Sequence, residues 1–176
     1  MWSLGLSATT LEAIGLTLGA DVPYCLRGGL AHVTGIGEKL HSLPGAPEWP
    51  LVIIQPCGGL STGAVFKAYH ASVRVHRPDT AAAEKALLQP SLSMLAPALG
   101  NALEGVSCEA KPDIQLAIDA LKIHGAVCAA MSGSGSAVFG AFADEACAAQ
   151  AAEALRPRWE KTFLCRTCAQ SVLITD

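Results

Sequence analysis

Apolar residues recur at helical spacing in several stretches of the chain and alternate or run together in others. In "SATTLEAIGLTL" Leu11, Ile14 and Leu18 follow Ser7, which predicts a helix over 7–18 with Ser7 as N-cap and Gly19 as stop signal. "GGLAHVTGIGEKLHSLP" alternates between glycines and predicts a β-hairpin over 29–43. "PGAPEWP" at 44–50 holds three prolines and a glycine and reads as a linker or boundary. The β-branched run "LVIIQP" at 51–56 predicts a buried strand, and "STGAVFKAYHA" a helix capped by Ser61 or Thr62.

Residues 80–104 are rich in Ala and Leu and predict two helices broken near Pro90. "KPDIQLAIDALKIHG" predicts a helix, with Pro112 at its start, an apolar stripe at 114, 118 and 121, and Gly125 as terminator. "AVCAAM" and "AVFGAFA" predict strands around the loop "SGSG"; "DEACAAQAAEALRPR" predicts a helix capped by Asp144, and "KTFLCRTCA" a closing strand. From residue 51 the order is β, helices, β, β, α, β. That pattern suits an α+β layer with helices on one face of a largely antiparallel sheet.

Composition narrows the function classes. The chain has 176 residues, 51% hydrophobic and 15% charged, enough apolar material for a packed core and too much for overall disorder. Its net charge of -3 gives no broad surface for nucleic acid or anionic membrane. No apolar run is long enough to span a bilayer, and the first cation is Arg27, so no basic leader region precedes an apolar core. The expected location is the cytoplasm. The seven cysteines are scattered, mostly in apolar context, and read as small buried hydrophobes of a reducing compartment. Cys165 and Cys168 form one C-x-x-C without a matching second pair, and the five histidines have no metal-ligand spacing, so no metal site is expected in the chain.

Three stretches could carry chemistry. "MSGSGSAVFG" at 131–140 concentrates glycine and serine between two apolar strands, and such a loop can turn several backbone N–H groups toward an anion. It lacks the lysine of a Walker loop and could equally be a plain connection. In "LGADVPYCL" the carboxylate of Asp21 stands among apolar neighbours. It could cap the helix that Val22 and Pro23 begin, or accept a proton from a substrate hydroxyl; the two roles are compatible. "PCGGLSTGAVFK" at 56–67 follows a strand and could wall a ligand pocket or serve as a strand-to-helix turn.

Taken in order, "LGADVPYCLRGGLAHVTGIGEKL", "PCGGLSTGAVF", "GNALEG" and "MSGSGSAVFGAF" closely resemble the GHMP small-molecule kinases over almost the whole chain. The resemblance implies ATP-dependent phosphorylation, with Mg²⁺ on the phosphates, of a hydroxyl on a cytidine-diphosphate-linked methylerythritol of the non-mevalonate isoprenoid route. It implies Asp21 as catalytic base, with Ala20, Thr62 and Phe66 at the substrate, Thr62 and Phe66 beside its cytidine end. It implies that Ser132, Gly133, Ser134, Gly135 and Ser136 support the phosphate-binding region. It also implies an active-site lysine and a Gly/Ser-rich ATP loop ahead of the aspartate motif. No lysine precedes Lys39 and no such loop precedes Asp21. The chain is therefore expected to match the C-terminal part of such a kinase and to be inactive alone. Residues 1–45 would be a remnant of the N-terminal domain and 46–176 a ferredoxin-like C-terminal domain. The partners expected are ATP and the small-molecule substrate, with neither nucleic acid nor membrane; the oligomeric state is not legible. Two alternatives stay open: a GHMP kinase for homoserine, mevalonate or a sugar, and a non-catalytic binding fragment of the same fold.

Overall fold

The computed structural model describes residues 5–45, 47–72, 77–89 and 91–169. The expected break at Pro90, and His76, lie outside them. The described residues up to Glu48, with Cys168 and Ala169, cluster as one unit, and Trp49–Thr167 as another.

The first unit holds two helices and a hairpin. Helix α1 (Ala8–Leu18) starts as expected, because the Ser7 hydroxyl accepts from the Thr10 N–H and removes one orphan donor of the first turn. Its apolar stripe is less buried than its period suggests: Leu11, Ile14 and Leu18 are 39%, 48% and 79% exposed. The buried position is Gly15, against which Val22 of α2 (Val22–Arg27) comes to rest. Strands β1 (Leu30–Thr34) and β2 (Lys39–Leu43) pair antiparallel, with Leu30 opposite Leu43 and Thr34 opposite Lys39. Arg27 ties these pieces together. Its guanidinium grips both oxygens of Glu12 on α1, at 2.9 and 2.6 Å, and donates to the Leu40 carbonyl of β2 at 3.1 Å.

The second unit is a four-stranded antiparallel sheet of β3 (Pro50–Ile54), β4 (Cys128–Met131), β5 (Val138–Ala141) and β6 (Thr162–Arg166), in the order β4-β5-β3-β6. With a crossover through helices between β3 and β4, and another through a single helix between β5 and β6, this is the split arrangement of a ferredoxin-like α+β sandwich. Register explains the core. Val52, Ile54, Val138 and Met131 fall on one face and bury against α7 (Asp113–Ile123) and α8 (Glu145–Leu155). The predicted stripe of Ile114, Ile118 and Leu121 on α7 is fully buried there. Asp144 caps α8 by accepting from the Cys147 N–H at 2.8 Å.

The helices do not all lie on one face, as the element order had suggested. Helix α4 (Thr80–Leu87) and the short α5 (Leu92–Leu95) put Ala86, Leu92 and Leu95 against Cys128 and Ala141 on the opposite face, with Trp49 and Leu51 beside them. Strand parity permits this, since Leu51, Ala141 and Cys128 are in register with one another and alternate with the α7/α8 face. Helix α3 (Thr62–Ala71) and helix α6 (Glu104–Ala110) pack on each other, and α6 on α7. The sequence reading gave α6 no helix of its own.

Gly140 sets how close α7 can come. A Cβ at residue 140 would meet the Cβ of Ala126 at 3.0 Å and that of Leu121 at 3.2 Å. Gly140→Val forces these apart, and overpacking of this kind costs about 1–3 kcal/mol, to be read by chemical denaturation. The Asp144 carboxyl lies below its ordinary range because the Cys147 N–H, and then the Cys147 thiol, hydrogen-bond its charged form. A depressed folded value means stability that is present above the unfolded value and lost as pH falls through the folded one. The melting-temperature gap between the native chain and Asp144→Ala is therefore expected to narrow as the solution is acidified through and below the carboxylate range.

Candidate functional site

In the first unit Ala20 and Asp21 lead into α2. Asp21 holds the N-cap position, but its backbone is already helical (φ -84°, ψ -15°) and its carboxylate makes no capping bond. The capping role expected from the sequence is thus absent, because a side-chain cap needs an extended residue there. Asp21 is exposed, as are Leu18, Tyr24 and Leu26 around it, so its apolar neighbours do not enclose it within this chain.

In the second unit the other expected residues come together. The loop Ser132–Ser136 joins β4 to β5. It closes on itself through Gly135 N–H to Ser132 O at 3.0 Å and Ser132 N–H to Ala137 O at 2.9 Å. Ser61 occupies the N-cap of α3 without a side-chain cap, and Thr62 does not cap either. The Thr62 hydroxyl instead meets the Ser134 hydroxyl at 2.9 Å, which ties the first turn of α3 to the loop. Phe66, one turn on, is 46% exposed, so its ring is free to meet a ligand rather than fill the core. Ser136 is buried, and its hydroxyl donates to the Cys57 carbonyl at 2.7 Å. "PCGGLSTGAVF" and "MSGSGS", far apart in sequence, are therefore bonded neighbours.

"GNALEG" supplies the third side, which the sequence had offered only as part of the resemblance, with no role. The Asn101 carboxamide donates to the carbonyls of Met131 and Gly133, both at 2.8 Å, while its oxygen accepts from the Leu103 N–H at 2.9 Å. The Glu104 carboxylate accepts from the Met131 N–H at 2.8 Å. The fully buried Ser107 donates to the Ser134 carbonyl at 3.2 Å. Buried polar atoms gathered in this density are stable only when each is bonded, and among the described residues no buried side-chain polar atom lacks a partner.

The result is a loop with a direction. Its carbonyls at 131, 132, 133 and 134 are taken by Asn101, Gly135 and Ser107, while the N–H groups of Gly133 and Ser134 make no hydrogen bond among the described residues. Such polarity favours an anion over a cation. Burial, then the charges of Glu104 and Asp119, push the nearby Cys108 thiol up to about 11, which disfavours its thiolate at neutral pH. Burial also raises Cys165 on β6. Among the described residues no three His, Cys, Asp or Glu side chains gather as metal ligands.

Gly135 has φ +85°, and a Cβ on it would come within 2.7 Å of the Met131 sulfur. An L side chain in the left-handed region costs roughly 1–2 kcal/mol. Gly135→Ala is expected to lose stability of that order in denaturant titration, while the exposed Ser132→Ala stays near the native value.

Known proteins are similar to this chain over most of its length. Residues 83–161 match the family model described as GHMP kinases C terminal. A 4-diphosphocytidyl-2-C-methyl-D-erythritol kinase of Enterococcus faecalis is 37% identical over 167 residues, which cover 95% of this chain and 59% of the relative. One from Caldicellulosiruptor saccharolyticus is 38% identical, over 96% of this chain and 58% of its own length. The crystal structure of a 4-(cytidine 5'-diphospho)-2C-methyl-D-erythritol kinase superposes with a TM-score of 0.73 at 32% identity, covering 89% of this chain and 56% of the other. The chain thus spans less than two thirds of the length of the relatives it matches. Residues 83–161 carry the C-terminal domain of the GHMP kinases, and most of the rest of the chain is similar to members of that family.

Proposed function

We propose that the chain serves ATP-dependent phosphorylation of a hydroxyl on 4-diphosphocytidyl-2-C-methyl-D-erythritol, a step of isoprenoid synthesis in the cytoplasm. The observation that carries the reading is the carbonyl-depleted Ser132–Ser136 loop bonded to Thr62 at the head of α3. Identity with the named kinases over nearly all of the chain supports the substrate. ATP, with Mg²⁺ on its phosphates, supplies the phosphoryl group and the charge neutralisation.

The chain's residues take these roles. Thr62 and Phe66 hold the cytidine end, through a hydroxyl and an exposed ring that can stack on a base. The loop supports the phosphate region with its free N–H groups. Ala20 lies along the acceptor. Asp21 takes the proton from the acceptor hydroxyl as the oxygen attacks the γ-phosphorus, the bond to the β-γ bridging oxygen breaks, and ADP leaves. Residues up to 45 act as part of the N-terminal domain of the kinase, and 46–176 as its C-terminal domain. Catalysis also draws on a lysine and a Gly/Ser-rich ATP loop that these 176 residues do not contain.

The test expresses both this chain and the longest reading frame that contains it, and follows transfer from γ-labelled ATP to the cytidyl substrate, with homoserine and mevalonate as competing acceptors. Transfer to the cytidyl substrate is expected from a frame that supplies the lysine and ATP loop, and none from the 176 residues alone. Preference for either competitor would overturn the substrate. Asp21→Asn in the active form is expected to lower kcat by about 10²- to 10⁴-fold, the usual worth of a general base. The substrate KM should change little, since the loss lies in the transition state. Its melting temperature should not move, since the carboxylate makes no capping bond. Near-normal turnover would remove Asp21 from the mechanism.

A further inference from the structure

We propose that Asn101 is a positioning residue for phosphoryl transfer: its carboxamide clamps the carbonyls of Met131 and Gly133 and so keeps the Ser132–Ser136 loop polarised toward phosphate. The proposal rests on the kinase reading above and adds to it a residue that touches neither substrate.

The chemistry of the side chain singles it out. An amide has two N–H donors and one acceptor oxygen. The Leu103 N–H fixes the oxygen at 2.9 Å, which leaves both donors for the two loop carbonyls, each 2.8 Å away. All three bonds are met at once, and among the common side chains of this size only asparagine offers that set. Asp accepts but cannot donate when ionised, and Leu does neither. Glu104 completes the hold by taking the Met131 N–H, so both backbone groups of Met131 are fixed by side chains 27 and 30 residues upstream.

The placement matters for phosphate. A free carbonyl at Gly133 could turn toward an incoming anion and repel it. Held by Asn101, it points away, and the N–H groups of Gly133 and Ser134 remain for the ligand. The gain is in preorganisation: the loop need not reorient when phosphate arrives.

The test uses Asn101→Asp and Asn101→Ala in the longest reading frame that contains the chain, with steady-state kinetics in both substrates across pH. Asn101→Asp keeps the size and the bond from Leu103, but faces two carbonyls with a carboxylate. Losing two hydrogen bonds at a partly buried site is expected to raise the KM for ATP about tenfold or more at neutral pH. The acceptor KM should stay near the native value. As pH falls the Asp variant gains a proton, recovers one donor, and its ATP defect should shrink; Asn101→Ala, which cannot titrate, should show a defect independent of pH. That pH contrast is a signature general loosening of the fold does not give. A native ATP KM in Asn101→Asp would overturn the proposal while leaving the kinase reading intact. So would a parallel rise in both KM values with no pH contrast between the variants. If the unsubstituted protein transfers no phosphoryl group to any acceptor, the kinase reading falls, and this proposal with it.

Discussion

The missing side chain at residue 140 is the constraint on which the second unit turns. Because Gly140 presents only backbone to α7, the helix lies within van der Waals reach of β5, with Leu121 and Ala126 against the strand. That approach buries Ile114, Ile118 and Leu121 completely. It also fixes what α7 carries with it. Helix α6 packs on α7, and "GNALEG" ends in α6, so the depth at which α7 seats decides where Asn101 and Glu104 can reach. The hydrophobic seam sets the distance, and the polar clamp uses it.

The clamp in turn shows how a loop of small residues acquires a fixed conformation. Glycine and serine give the Ser132–Ser136 segment freedom and little packing of its own. Its order is supplied from outside, by the side chains of Asn101, Glu104 and Ser107 on one side and Thr62 on another, and by the backbone carbonyl of Cys57. Each of these bonds spans a long stretch of chain, and none can be replaced by a neighbour in sequence. Such an arrangement rewards the fold as a whole rather than any single element.

Much of the fold was legible because period and punctuation agreed. Ser7 and Asp144 cap as read, the hairpin of 29–43 pairs as read, and the stripe at 114, 118 and 121 is buried as read. Three misreadings have physical causes. The face of the sheet against which α4 and α5 pack is not written in their own sequence, since a strand buried on both faces shows no alternation that favours either. Helix α6 carries Gly105, Val106, Ser107 and Cys108, weak helix formers whose order comes from tertiary contacts rather than propensity. The carboxylate of Asp21 fails to cap because its own φ and ψ are helical, a backbone detail that residue identity does not encode. At the site, the serines and glycines announced a loop, but its direction could not be read from them. That direction belongs to Asn101, whose role depends on a meeting across 30 residues of chain.

Strand β4 ends the sheet on one side, and an end strand normally offers a bare row of backbone groups to any passing chain. At Met131 that row is closed, since both its N–H and its carbonyl are already occupied. An incoming strand would find no docking point at the end of β4 nearest the loop, and would have to evict a carboxylate and an amide to make one. The same atoms that hold the loop thus also limit the sheet's growth at that corner, which favours staying soluble at high concentration over intermolecular pairing and aggregation.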